Sequence, residues 1–176
     1  MRIGIPSETK TLEGRVALVP FACGDLVKAG HEVFIQSGAG LKSGFGDVDF
    51  SKVGVTVVPD AATLFEKAEL VVKVKEPIAG DLAHLRADHR LFCYLHLAAE
   101  PELTTALTDI GLTAVAFETV EDSDGSLPLL APMSIIAGRI ATQVGTHLLH
   151  QPEGGRGVLL GGLGGAERGH GVVLGA

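Results

Sequence analysis

The sequence predicts an α/β fold, a Rossmann-like doubly wound parallel sheet, and three observations predict it. Short and nearly continuous apolar runs recur along the first 120 residues. Helical patterns of about ten residues separate them, and such spacing forces neighbouring strands to run parallel. Strands buried on both faces read as unbroken apolar stretches rather than as alternation. Composition permits the core this requires: of 176 residues, 46% are hydrophobic and 20% charged.

RIGIP (2–6) is the first strand, closed by Pro6, and SETKTLEGR is a polar loop that delivers Arg15. PFACGDLVKAG (20–30) is a helix with Pro20 in its first turn and Gly30 as its stop. HEVFIQ (31–36) is a strand, followed by the glycine-rich loop SGAGLKSGFGD. A short helix around VDFSKVG precedes the strand VTVV; AATLFEKA (61–68) is a helix and ELVVKVK (69–75) a strand halted at Pro77. The rhythm repeats with DLAHLRA as helix, RLFCYLHL (90–97) as strand, PELTTALTDIG (101–111) as helix and LTAVAFETV (112–120) as strand. EDSDGSLPLLAP is a turn-rich connector, in which DSDG (122–125) lacks the further ligands of a calcium loop and reads as a turn. SIIAGRIATQVGTHLLH (134–150) is the longest helical pattern, with Ser134 where an N-cap belongs and Ile136, Ile140, Val144 and Leu148 recurring every four residues. Ten of the last 26 residues are glycine, too many for that stretch to supply a core of its own. A boundary is expected in the connector, giving 1–128 as one domain and 129–176 as a linker helix with the start of a second.

Several function classes are disfavoured. A net charge of −7 without clustered Lys or Arg argues against a nucleic-acid surface. Cys23 and Cys93 lack metal or redox spacing and read as reduced buried thiols. No metal-ligand set is apparent. MRIGIPSETK has no signal-peptide core, and no stretch approaches the roughly 20 apolar residues of a bilayer span, so a soluble cytoplasmic protein without a membrane partner is expected.

Ligands of open parallel sheets bind outside the carboxyl ends of the strands. Lys75 closes one strand, His96 lies near the end of another, and Arg15 sits in the loop after the first. A guanidinium fork, an ammonium and an imidazole on one rim suit a small anionic substrate: Arg grips a carboxylate bidentately, Lys polarises a carbonyl, and His exchanges a proton near neutral pH. Each residue also has an ordinary reading. His96 fits a satisfied core histidine, Lys73 and Lys75 fit strand-end charges facing water, and Arg15 fits a surface ion pair.

The runs KVKEP (73–77), YLHLA (94–98), LPLLAPMS…AGR (127–139), RIGIPSETK…RVAL and GGRGVLLGG (154–162) together resemble the alanine dehydrogenases from end to end. The related soluble α portion of proton-translocating nicotinamide nucleotide transhydrogenase shares the opening and the SGAG loop but is not expected to keep YLHLA. The resemblance implies interconversion of L-alanine with pyruvate and ammonia, NAD as hydride carrier, and a homo-oligomer, hexamers being familiar in the family. It implies that Arg15 holds the substrate carboxylate, that Lys75 binds the carboxylate and carbonyl side of pyruvate, and that His96 is the acid/base partner. Leu130, Met133 and Ser134 match the family segment lining the cleft against the cofactor. The final GVVLGA resembles the first strand and turn of an NAD-binding Rossmann domain, and no complete GxGxxG is present. The expectation is therefore the N-terminal portion of an alanine dehydrogenase, incomplete for catalysis alone. A 2-oxo-acid binding module, an inactive fragment and a relative of the transhydrogenase α portion stand as the other readings.

Overall fold

A computed structural model describes residues 1–165 and 171–172, so the reading of GVVLGA falls largely outside the described residues. The chain divides into two compact units, the first running from Met1 to Leu127 and the second beginning at Pro128.

The first unit holds a six-stranded, wholly parallel sheet in the order β3-β2-β1-β4-β5-β6. The strands are β1 (Arg2–Ile5), β2 (Glu32–Gln36), β3 (Thr56–Val58), β4 (Leu70–Val72), β5 (Arg90–Cys93) and β6 (Thr113–Ala116). Between them lie α1 (Pro20–Lys28), α2 (Asp47–Ser51), α3 (Ala61–Lys67), α4 (Ala79–Leu82) and α5 (Pro101–Ile110). This is the doubly wound α/β architecture that the unbroken apolar runs predict. The pleat explains those runs. Val33 and Ile35 of β2 enter one cluster with Ile5, Cys23 and Phe50, whereas Phe34 enters the other with Leu64, Phe65, Val71 and Leu91. Both faces are therefore buried. Gly4 is small for a reason: a β-carbon there would lie 2.8 Å from that of Ala68, so its absence lets α3 close onto β1.

Local chemistry sets the helix ends. Pro20 and Pro101 occupy first turns, Gly111 takes the left-handed C-terminal position of α5, and the Asp60 carboxylate accepts the Thr63 N–H to start α3. The helix expected over DLAHLRA lies earlier and is shorter. Asp81 accepts the Ile78 N–H at 3.1 Å, which starts α4 directly after Pro77. Downstream, Nδ1 of His89 accepts the Arg86 N–H at 3.1 Å and turns the chain into β5. The strands expected over 69–75 and 90–97 end at Val72 and Cys93, so Lys75 and His96 lie in segments beyond the sheet.

The second unit contains α6 (Ala131–Leu148). It starts three residues before the expected position, with Leu130 at the N-cap, Pro132 in the first turn and no side-chain cap. Ser134 is therefore inside the helix, where its N–H donates to the Leu130 carbonyl at 3.1 Å, and is not the N-cap. Proline favours a helix start strongly enough to override the hydroxyl signal. No helix among the described residues is long and apolar enough to cross a membrane.

Candidate functional site

The strand order reverses between β1 and β4, so the loops after these strands flank the switch point of the sheet. Arg15 is in the loop after β1, Lys75 follows β4, and His96 follows β5. The first unit thus brings all three sequence-predicted residues to segments leaving one rim. A cavity of about 140 Å³ opens between the loops after β1 and β2, its walls including Ser7, Glu8, Glu13, Arg15, Gly38 and Lys42; Arg15 lines it, and Lys75 and His96 do not.

Arg15 is oriented by Glu13. The Glu13 carboxylate accepts the Arg15 backbone N–H at 2.8 Å, its Nε at 2.9 Å and its Nη2 at 2.7 Å. One edge of the guanidinium is thereby fixed in plane. The side-chain bond to Arg15 holds the Glu13 carboxyl at about 2, well below its ordinary value, with the charge of Lys75 contributing. Arg15 also bears on the Tyr94 phenol, which burial pushes up and Arg15 pulls down. The surface ion-pair reading of Arg15 is thus half right: it is paired, but with a buried carboxylate at the strand ends.

Lys73 and Lys75 part company. Lys73 is fully buried rather than facing water, with Nζ 3.3 Å from an Asp81 oxygen and 3.5 Å from a Glu8 oxygen. It pairs by charge rather than through an aligned hydrogen bond. Glu8 completes the arrangement by accepting the Val74 N–H at 2.6 Å and the Lys75 N–H at 3.3 Å. Burial raises the Glu8 carboxyl above its ordinary value, against the opposing pull of Lys73 and those two N–H groups. A buried triad of this kind adds little net stability, but it ties the loop after β1 to the loop after β4. The next carboxylate, Glu76, pairs with Lys10. Burial works against its charge, yet the Lys10 ammonium holds it below the ordinary range.

His96 is exposed and has φ +52°, one of two described non-glycine residues in the left-handed region, with Leu12 at +66°. Its ring stacks on that of Tyr94 at 6.2 Å between centroids and 17° between planes. The core-histidine reading belongs instead to His89, whose Nε2 lies 2.9 Å from the Phe65 carbonyl and whose protonation burial disfavours. Leu95 and His96 direct their backbone N–H groups to Glu118, at 3.1 Å and 2.6 Å from Oε1.

Glu8, Glu13 and Glu118 were not legible as site residues. Glu8 and Glu118 accept backbone N–H groups from distant segments, a pairing that no local spacing announces, whereas Glu13 lies two residues before Arg15 and its role is visible only in the geometry of the pair. Leu130, Met133 and Ser134 belong to the second unit, at the N-cap and in the first turns of α6. The start of the helix carries leucine, alanine and proline, and Met133 and Ser134 donate their backbone N–H groups to the Leu130 carbonyl at 3.0 Å and 3.1 Å.

The profile of the family described as "Alanine dehydrogenase/PNT, N-terminal domain" matches residues 4–137. An alanine dehydrogenase of Mycobacterium tuberculosis is 51% identical over 176 residues, covering 100% of this chain and 47% of that protein. That of Bacillus subtilis is 46% identical over 175 residues, covering 99% of this chain and 46% of its own. Among solved structures, an L-alanine dehydrogenase superposes with a TM-score of 0.86 at 51% identity, over 96% of this chain and 46% of that one. A transhydrogenase from Sinorhizobium meliloti superposes with a TM-score of 0.63 at 28% identity, over 67% of this chain and 34% of that one. The chain spans about half the length of the curated relatives it matches.

Proposed function

The chain belongs to the alanine dehydrogenase/PNT N-terminal domain family, and from that premise we propose that it forms the substrate-binding part of an alanine dehydrogenase, acting on pyruvate, ammonia and L-alanine. The observation that carries this reading is that Arg15, Lys75 and His96 lie in the segments that leave the carboxyl ends of β1, β4 and β5, on one rim of the sheet. Residues 1–128 are the substrate domain, and 129–176 are a linker helix leading into a domain that binds NAD. NAD would supply or accept the hydride. The protein works in the cytoplasm as a homo-oligomer.

The roles follow from the chemistry of the groups. Arg15, its plane fixed by Glu13, receives the substrate carboxylate. Lys75 places an ammonium beside the carboxylate and carbonyl, stabilising negative charge that develops on the carbonyl oxygen. His96 gives or takes the proton at the oxygen or nitrogen of the reacting carbon. Leu130, Met133 and Ser134 line the cofactor side. The work assigned to the first unit is substrate binding and proton exchange.

Titration of pyruvate into the 176-residue chain, followed by calorimetry and by the NMR signals of the His96 ring, tests the reading. Saturable binding that shifts the His96 signals is expected, without oxidation of added NADH. No binding at millimolar pyruvate would remove the substrate assignment. Binding with a silent His96 would place the site elsewhere.

A further inference from the structure

We propose that Glu118 is a positioning residue for His96, its carboxylate clamping the two backbone N–H groups that keep His96 in a left-handed conformation. This rests on the reading of His96 as the proton-exchanging group. The sheet ends at Cys93, and Tyr94 makes a last cross-strand bond by donating its N–H to the Val74 carbonyl at 3.1 Å. Leu95 and His96 then have no strand to receive their N–H groups. Glu118 receives both: Oε1 lies 3.1 Å from Leu95 N and 2.6 Å from His96 N, and Oε2 lies 3.2 Å from Leu95 N.

The register of the sheet brings Glu118 to this place. Cys93 pairs with Ala116, so position 118 comes level with position 95 two residues beyond. A short 3-10 turn, Phe117–Thr119, follows β6 and carries the carboxylate; the Thr119 hydroxyl bonds back to the Ala116 carbonyl at 3.1 Å. The same turn supports the ring partner of His96. Phe117 meets Tyr94 edge-on at 5.1 Å and Phe92 edge-on at 4.3 Å, and Tyr94 stacks on His96. A single turn therefore controls both the backbone of His96 and the ring it lies against.

A non-glycine residue at positive φ is disfavoured by contact of its β-carbon with the backbone and persists only where the surroundings hold it. Charge-assisted bonds to two successive N–H groups supply that hold. Without them the left-handed state becomes a minority state, and ligand affinity falls in proportion to its population.

The test compares the wild-type chain with Glu118→Ala and Glu118→Gln by calorimetric pyruvate titration, the amide proton shifts of Leu95 and His96, and thermal melting. In wild type the His96 amide proton should lie far downfield, as a short bond to a carboxylate requires. In Glu118→Ala it should return to an ordinary position, with pyruvate affinity about tenfold weaker. Glu118→Gln keeps an oxygen where Oε1 reaches both N–H groups, so it should retain most of the affinity and part of the amide shift. A folded Glu118→Ala protein with wild-type affinity and amide shifts, even at a lower melting temperature, would overturn the proposal. So would a Gln variant as weak as the Ala variant with an unmoved amide signal, which would make the charge itself the active element. If Glu118→Ala does not fold, the Gln variant decides by its amide signal and affinity. If wild type binds no pyruvate, the functional reading fails, and the amide signals alone judge the clamp.

Discussion

Replacing Glu13 with Gln should remove a pH-dependent part of the protein's stability. The Glu13 side chain is 8% exposed and receives three bonds from Arg15, and its carboxyl is held at about 2 instead of the ordinary 4.5. Taken in full, a shift of that size corresponds to about 3 kcal/mol. Arg15 is 46% exposed, however, so solvent screens the pair and about 1–2 kcal/mol is the realistic contribution. Because the folded value is the depressed one, the contribution is complete above the unfolded value and disappears as the pH falls from about 5 toward 2. Urea unfolding of wild type and Glu13→Gln at pH 7, 5, 4 and 3 measures it, since the other acids titrate in both proteins and cancel in the difference. A gap of about 1–2 kcal/mol at pH 7 should narrow steadily toward acid. A gap that stays constant across the series would show that Glu13 acts by shape or neutral hydrogen bonding, and the electrostatic account of Arg15 would fail.

Arg15→Lys should weaken pyruvate binding about tenfold, because a point charge cannot replace a planar fork, and should lose no more stability than Glu13→Gln does; equal affinity by calorimetry would put the carboxylate elsewhere. His96→Ala should leave the unfolding free energy from urea titration within about 0.5 kcal/mol of wild type, since the side chain is exposed. In a form of the enzyme that turns over, the same change should cut pyruvate-dependent NADH oxidation by about a hundredfold or more, and undiminished turnover would remove His96 from the mechanism. Gly4→Ala should cost about 1–3 kcal/mol in urea unfolding, because the new methyl would sit 2.8 Å from the Ala68 β-carbon and 2.9 Å from Leu64 Cδ2; an unchanged midpoint would mean that α3 moves away freely.

The sheet was legible because its strands are buried on both faces, and that leaves an unbroken apolar signature in RIGI, EVFIQ and RLFC. Strand ends were less so. ELVVKVK and RLFCYLHL continue in composition past the last ladder bond, and nothing within them says that Val72 and Cys93 are where pairing stops. The candidates Lys75 and His96 stood out in the sequence as polar groups near the ends of apolar runs, and Arg15 as the cation of the loop after the first strand. Their supports did not. Lys73 looked like a solvated charge because Glu8 and Asp81, which bury it, lie 65 residues before and 8 residues after it. Glu118 is 22 residues from His96 and touches its backbone, so only the register between β5 and β6 reveals it. Ser134 misled because hydroxyl and proline signals for a helix start fell two residues apart, and proline prevailed.

An all-parallel sheet also gives the molecule a front and a back. The loops of the proposed site leave the carboxyl ends, whereas Met1 sits at the opposite edge, where its carbonyl accepts the Glu32 N–H and Arg2 and Glu69 pair by backbone and side chain. The length of β1, about 13 Å at 3.3 Å per residue, separates the two edges. A biotin or fluorophore on the amino terminus therefore makes a natural handle. Tethering by it would keep the anchoring chemistry at the opposite edge of the first unit's sheet from the rim of the proposed site.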